Sequence, residues 1–146
     1  MSLRSIVVGV DGGEKSSRAL AFSLGLAGRE AATLSVCYVR PPVPWTSFAL
    51  TSMSMFCWDV GALVHASHDH VAAEVAAEAS DAFARTGVRG QLVLRSGDVV
   101  GELAELARVR EADLVVVGRS RRLGGGRFSA ARRLTDGYRR ALLIAS

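Results

Sequence analysis

Two short stretches, Ile6-Val7-Val8-Gly9-Val10 and Leu114-Val115-Val116-Val117-Gly118, carry no polar side chain at all. A strand with one wet face alternates apolar with polar residues, so runs this continuous call for burial on both faces. A parallel sheet covered by helices on each side meets that condition. The intervening segments fit it. Ser5 to Val10 reads as a strand stopped by Asp11-Gly12-Gly13, and Leu20, Leu24 and Ala27 then recur at helical spacing behind a Ser16 or Ser17 N-cap. Thr33 to Val39 is rich in strand formers and ends at Pro41-Pro42. Asp59 to Arg85 predicts a long helix with Val64, Val71, Val75, Ala79 and Phe83 inward, ended by Gly87. Val88 to Leu94 is a third strand, and Asp98 caps a helix with Val99, Leu103 and Leu106 on one stripe. Asp113 to Gly118, a helix from Ser129 to Arg140, and a final strand at Ala141 to Ser146 complete the alternation. The expectation is one doubly wound α/β domain over residues 1–146, with a five-stranded, mainly parallel sheet flanked by helices. In such sheets ligands sit beyond the carboxyl ends of the strands where strand order reverses, which points to the loops after strands one and four.

With 146 residues, about half of them apolar, the chain is long enough for one sizeable core. Cys37 and Cys57 form no CxxC and no paired spacing, so neither a disulfide framework nor a zinc site is indicated. No run of eighteen apolar residues occurs, and the apolar start is too short for a signal peptide. A soluble, cytoplasmic protein without membrane contact is expected. The net charge of +4 is unevenly placed: residues 119–140 hold eight arginines and one acid, a net of +7, and the rest holds ten bases and thirteen acids, a net of −3. Such a field suits an anionic partner or a solvated surface. Arg132, Arg133, Arg139 and Arg140 come without a helix-turn-helix, an RNA-binding aromatic pair or a zinc finger, which argues against nucleic acid as the partner.

Several motifs are tested and set aside. No Gly-x-Gly-x-x-Gly follows the first strand, and nothing reads Gly-Lys-Ser or Gly-Lys-Thr. His65 and His68 are three apart on a helix while His70 points elsewhere, and no further ligand completes a shell, so these rings read as solvated. Cys57 has no recognisable base. Gly124-Gly125-Gly126 reads as a turn, or as a nest of N–H groups holding one anion together with Ser129. The connector from Pro41 to Leu63 carries Trp45, Phe48, Met53, Met55, Phe56 and Trp58, which must be covered by the domain, by a ligand cleft or by a partner subunit.

The stretches "IVVGVDGGEKSSRALAFSLGLA" and "GDVVGELAELARVREADLVVVGRS", followed by a short apolar closing strand, resemble the universal stress protein family over nearly the whole chain. The resemblance implies a homodimer paired through the last strands and, in one branch, an adenine nucleotide after strands one and four. In that branch the second loop reads Gly, two residues, Gly, nine residues, then Gly-Ser or Gly-Thr, because glycines let the backbone approach phosphate and the next helix aims N–H groups at it. Gly118 matches the first position and Arg121 stands at the second. Counting straight through puts Ala131-Arg132 at the third position but leaves the last helix and strand out of step; aligning these instead shortens the loop by three residues, places Ser129 at the helix start and puts Phe128 where the adjoining glycine belongs. The lost reach is about 10 Å, at about 3.3–3.6 Å per residue. Arg121 at a left-handed position costs about 1–2 kcal/mol, which a guanidinium–phosphate bond of about 1.5–3 kcal/mol offsets. Missing loop length has no such substitute. Asp11 matches the residue that meets the nucleoside, and Val39 falls where backbone groups meet adenine. Asp11 also reads as an ordinary turn residue, and Val39 as an ordinary strand end.

The expected function is therefore a dimeric, non-enzymatic stress-response module whose nucleotide site is eroded and does not take ATP in the family's usual mode. The alternatives are an ATP- or adenine-nucleotide-binding protein in which Arg121 and Arg127 replace lost backbone contacts, and a slow phosphoanhydride hydrolase with Asp11 as its sole acid. The apolar closing strand leaves an edge that invites pairing with a second copy.

Overall fold

A computed structural model describes residues 2–40, 58–118 and 141–145, with side chains given for these except residues 58–67 and 142–145. Strand β1 (Ser5–Val10), helix α1 (Glu14–Glu30), strand β2 (Thr33–Arg40), helix α2 (Trp58–Thr86), strand β3 (Gly90–Ser96), helix α3 (Val99–Val109), strand β4 (Leu114–Gly118) and strand β5 (Ala141–Ala145) follow in chain order. The five strands form one sheet in the order β3-β2-β1-β4-β5, and every pairing is parallel. Strand order reverses between β1 and β4, as a doubly wound sheet requires.

The continuous apolar runs are buried as their composition demands. Ile6, Val8 and Val10 face α1 and α2 together with Leu20, Leu24, Ala27, Ala72, Val75 and Ala79. Val7 and Val117 face α3, against Leu103, Leu106 and Ala107. Successive residues of a strand thus serve two separate cores. The edge strand β3 is less covered, and Leu94 is an exposed apolar residue on it.

Helix ends follow local chemistry. The Asp98 carboxylate accepts from the Gly101 amide at 2.9 Å and caps α3 as expected. Helix α1 is different. Its N-cap is Gly13, with no side-chain cap bond, rather than Ser16 or Ser17. Ser16 is already inside the helix, where its hydroxyl donates to the Gly13 carbonyl at 2.8 Å. Helix α2 spans Trp58–Thr86, close to the expected bounds, and gives way to Gly87 at a φ of +67°, a left-handed turn that glycine adopts without a Cβ penalty. The third strand starts two residues later than the sequence suggests and runs two further, to Ser96. The expected helix at Ser129 to Arg140 lies outside the described residues, as does the aromatic connector up to residue 57, while its last six residues, 58–63, belong to α2.

Candidate functional site

The site is built where β1, β2 and β4 end. After Val10 the chain turns at Asp11-Gly12-Gly13, and the Asp11 carboxylate accepts from the Gly13 amide at 2.9 Å. This is the turn role weighed from the sequence, and it fixes the carboxylate at the mouth of the crevice. Gly12 has a φ of +79°, and a Cβ there would lie 2.8 Å from Val71 Cγ1. The turn is therefore pressed beneath α2 and opens directly into α1.

On the β4 side, Gly118 is needed for room. A Cβ on it would lie 2.8 Å from the Lys15 carbonyl oxygen and 3.1 Å from the Ser16 amide nitrogen. Those atoms are backbone of the first turn of α1 and cannot swing aside. The contact draws the ends of β1 and β4 together, with the start of α1 between them, so Gly118 has a packing role independent of any phosphate.

Strand β2 extends past β1. The last β1–β2 pair is Val10 with Tyr38, whereas β2 continues to Arg40 alongside β3. Val39 thus has no ladder partner in β1, and its side chain packs into the α3-side core. Its side chain is therefore committed to the core. Tyr38 and Arg40 belong to the opposite face. Tyr38 is buried, and its hydroxyl pKa is raised by burial; nearby Arg40 opposes the shift, while Asp11 and Asp69 add to it. Arg40 pairs with Asp69 of α2, tying the strand end to the helix. Beside Asp69, His68 is half-buried and its Nδ1 is enclosed with no hydrogen-bond partner among the described residues. Solvation, expected for these rings, holds for His70, which lies exposed 3.5 Å from Glu74. It fails for His68, which shares a helical face with the core residues Ala72 and Val75.

The structure brings Asp11, Val39 and Gly118 to one end of the sheet. Arg121 and Ser129 lie outside the described residues, as do Cys57 and Arg127. Among the described residues no His, Cys, Asp and Glu cluster suited to a metal occurs. Cys37 is fully buried on the α3 side; burial pushes its thiol up to about 12, with Arg95 opposing and Glu102 adding, so it is not a nucleophile. A groove of about 620 Å³ between α1 and α2, over Leu24, Gly28 and Val88, lies toward the amino ends of the strands, away from this convergence. Sequence reading did not single out Tyr38 or the Arg40–Asp69 pair, and it read His68 as solvated. The missed signal was register: Arg40 is two residues beyond Tyr38 on the same strand face, and His68 is four before Ala72 on the helix.

A doubly wound α/β sheet with a crevice at the β1/β4 reversal is the class that fold and site define. The chain belongs to the universal stress protein family, whose sequence model matches residues 2–132. Solved structures agree. A universal stress family protein from Burkholderia pseudomallei is 28% identical, with a TM-score of 0.74 over 97% of this chain and 95% of that one. A universal stress protein in complex with cAMP is 23% identical, with a TM-score of 0.67 over 99% and 98% of the two chains. The universal stress protein from Archaeoglobus fulgidus in complex with dAMP is 17% identical, with a TM-score of 0.68 over the whole of both. Comparison with curated proteins finds no match. No helix among the described residues is long and apolar enough to cross a membrane.

Proposed function

We propose that this protein is a non-enzymatic, cytoplasmic stress-response module whose crevice takes an adenine nucleoside or its monophosphate and does not hold ATP in the family's encircling manner. The observation that carries this reading is the asymmetry of the crevice. At the end read as the nucleoside side, Asp11 accepts from the Gly13 amide and two residues of β2 extend beyond β1. The phosphate end has one motif glycine, Gly118, whose absent side chain is already accounted for by the backbone of α1. Arg121 stands where the second glycine belongs, and in the alignment that keeps the last strand in step the loop to Ser129 is three residues short of the family's pattern. A monophosphate needs fewer main-chain donors than a triphosphate and tolerates that shortening. Relatives of the same fold crystallised with cAMP and dAMP support the ligand class.

Calorimetric titration with AMP, with ATP and with ATP plus magnesium tests the reading. AMP saturates the protein, and the two further phosphates of ATP add less than about threefold in affinity. Tenfold tighter binding of ATP would restore the arginine-substituted ATP site, and absence of binding by either at millimolar concentration would remove the nucleotide altogether. ATP turnover abolished by Asp11→Ala would instead establish the hydrolase. The dimer is proposed through β5, the outermost strand on the β4 side of the sheet. Light scattering at micromolar concentration showing a monomer would dismiss it.

A further inference from the structure

Tyr38 pairs with Val10 across β1 and β2, one step before the Asp11 turn, and the two side chains share one face of the sheet. Arg40 follows two residues later on that face and pairs with Asp69 of α2, while Val71 of the same helix covers Gly12. The phenol thus lies beneath α2, with Arg40 and the Asp11-Gly12 turn as its neighbours toward the crevice. Burial is the main cause of its raised pKa; among the charges around it Arg40 opposes the shift most, and Asp11 adds to it more than Asp69 does. That Asp11 acts more strongly than the helix carboxylate overhead puts the oxygen on the β1 side, facing the turn.

This hydroxyl is unpaired without being sealed. Tyr38 as a whole is 5% exposed, and no described residue forms a hydrogen bond with its oxygen. Among the described residues the side-chain polar atom that is both enclosed and unpaired is His68 Nδ1. The Tyr38 oxygen therefore belongs to the small part of the residue that still meets solvent. Buried tyrosines ordinarily find a partner for the hydroxyl, and one that has none at the mouth of a crevice is open to a partner supplied by a ligand. Burial keeps the phenol protonated, so it donates as well as accepts, whereas the charged carboxylate of Asp11 beside it only accepts. A donor and an acceptor fixed side by side suit a diol, whose hydroxyls each give one hydrogen and take one.

Position decides which part of a nucleotide meets this pair. With the base at the overhang of β2 and the phosphate at Gly118 on β4, the two are two strands apart, or about 10 Å at about 4.8 Å per strand. The sugar spans that distance over the end of β1, where Asp11 and the Tyr38 hydroxyl stand. Resting on the adenine-nucleotide reading above, we infer that Tyr38 is a specificity-determining residue whose hydroxyl, with the Asp11 carboxylate, hydrogen-bonds the ribose diol. Loss of one such bond is expected to weaken binding about five- to tenfold.

Calorimetry with adenosine and 2′,3′-dideoxyadenosine on the wild-type protein and on Tyr38→Phe tests the assignment. The variant keeps the buried ring and removes only the oxygen. Wild-type protein prefers adenosine; in Tyr38→Phe adenosine weakens by the same five- to tenfold, while dideoxyadenosine stays within about twofold. Carbon NMR of labelled tyrosine in the wild-type protein gives a readout that does not depend on the variant's affinity, and the Tyr38 Cζ resonance is expected to move with adenosine and not with dideoxyadenosine. Unchanged adenosine affinity in the variant, an equal loss of dideoxyadenosine binding, or a Cζ resonance that adenosine leaves in place would each overturn the role of Tyr38 while leaving the nucleotide reading standing. Wild-type protein that binds neither adenosine nor AMP would overturn both.

Discussion

The ends of β4 and β2 border the same crevice but are closed by opposite means. At β4 the closure is main chain against main chain, with Gly118 against the Lys15 carbonyl and nothing flexible between them. At β2 it is side chain against side chain, with Arg40 reaching Asp69 and with Tyr38 buried beneath. A main-chain contact tolerates no added atom, whereas a side-chain contact can be exchanged without disturbing the sheet. The β4 end is therefore the less yielding of the two, and the β2 end is the one where a side chain can change without moving the sheet.

The contrast breaks most visibly at Gly118. Gly118→Ala places a methyl group 2.8 Å from a backbone oxygen, and chemical denaturation should report a loss of about 3 kcal/mol, the upper part of the overpacking range. A loss below about 1 kcal/mol would mean that α1 can shift, and the two ends would no longer differ in kind.

The next effect is a pH dependence within β2. The Cys37 thiol is held up at about 12 in the fold against an ordinary value of 9.0. Above pH 9 the unfolded chain therefore loses a proton that the folded chain keeps, and stability falls as pH rises toward 12 at up to about 1.4 kcal/mol per pH unit. Raising the pH from 8 to 10.5 should cost about 2 kcal/mol, and Cys37→Ala should remove that component of the slope. An unchanged slope in the variant would assign the dependence to other groups.

Gly9→Ala serves as the control for Gly118. Its added methyl meets Leu103 Cδ1 at 2.9 Å, the tip of a side chain that can turn, so the loss should be about 1 kcal/mol. Equal losses at Gly9 and Gly118 would erase the distinction between yielding and unyielding neighbours. The smallest change is expected from Asp69→Asn. The pair is about one-third exposed at Arg40 and two-thirds at Asp69, so solvent screening holds the loss to under about 1 kcal/mol, and added salt should reduce it further. A larger loss would make the β2 end structural as well.

Much of this architecture was legible before any coordinates. Ile6 to Val10 and Leu114 to Val117 could be satisfied only between two helical layers, and the alternation of strand and helix around them supplied the layers. Asp98 announced its helix because a carboxylate three residues before an amide is a self-contained cap. The start of α1 was misplaced because Ser16 and Ser17 are good caps in isolation, yet Gly13 occupies the position and Ser16 turns its hydroxyl back toward it. In the site, Asp11, Val39 and Gly118 were legible as strand-end residues. His68 was read as solvated because helical spacing shows which residues share a face, but not how far along the helix the sheet still covers that face.

The chain's order of apolar runs, turns and caps decided that it would form a parallel, doubly wound sheet and which strand ends would converge, because those signals act over a few neighbouring residues and repeat. Tertiary structure alone decided that Gly118 is a contact with α1, that β2 outruns β1, and that Arg40 of β2 pairs with Asp69 of α2. Such relations join residues far apart in sequence, and only the packing of whole helices on the sheet sets their distances.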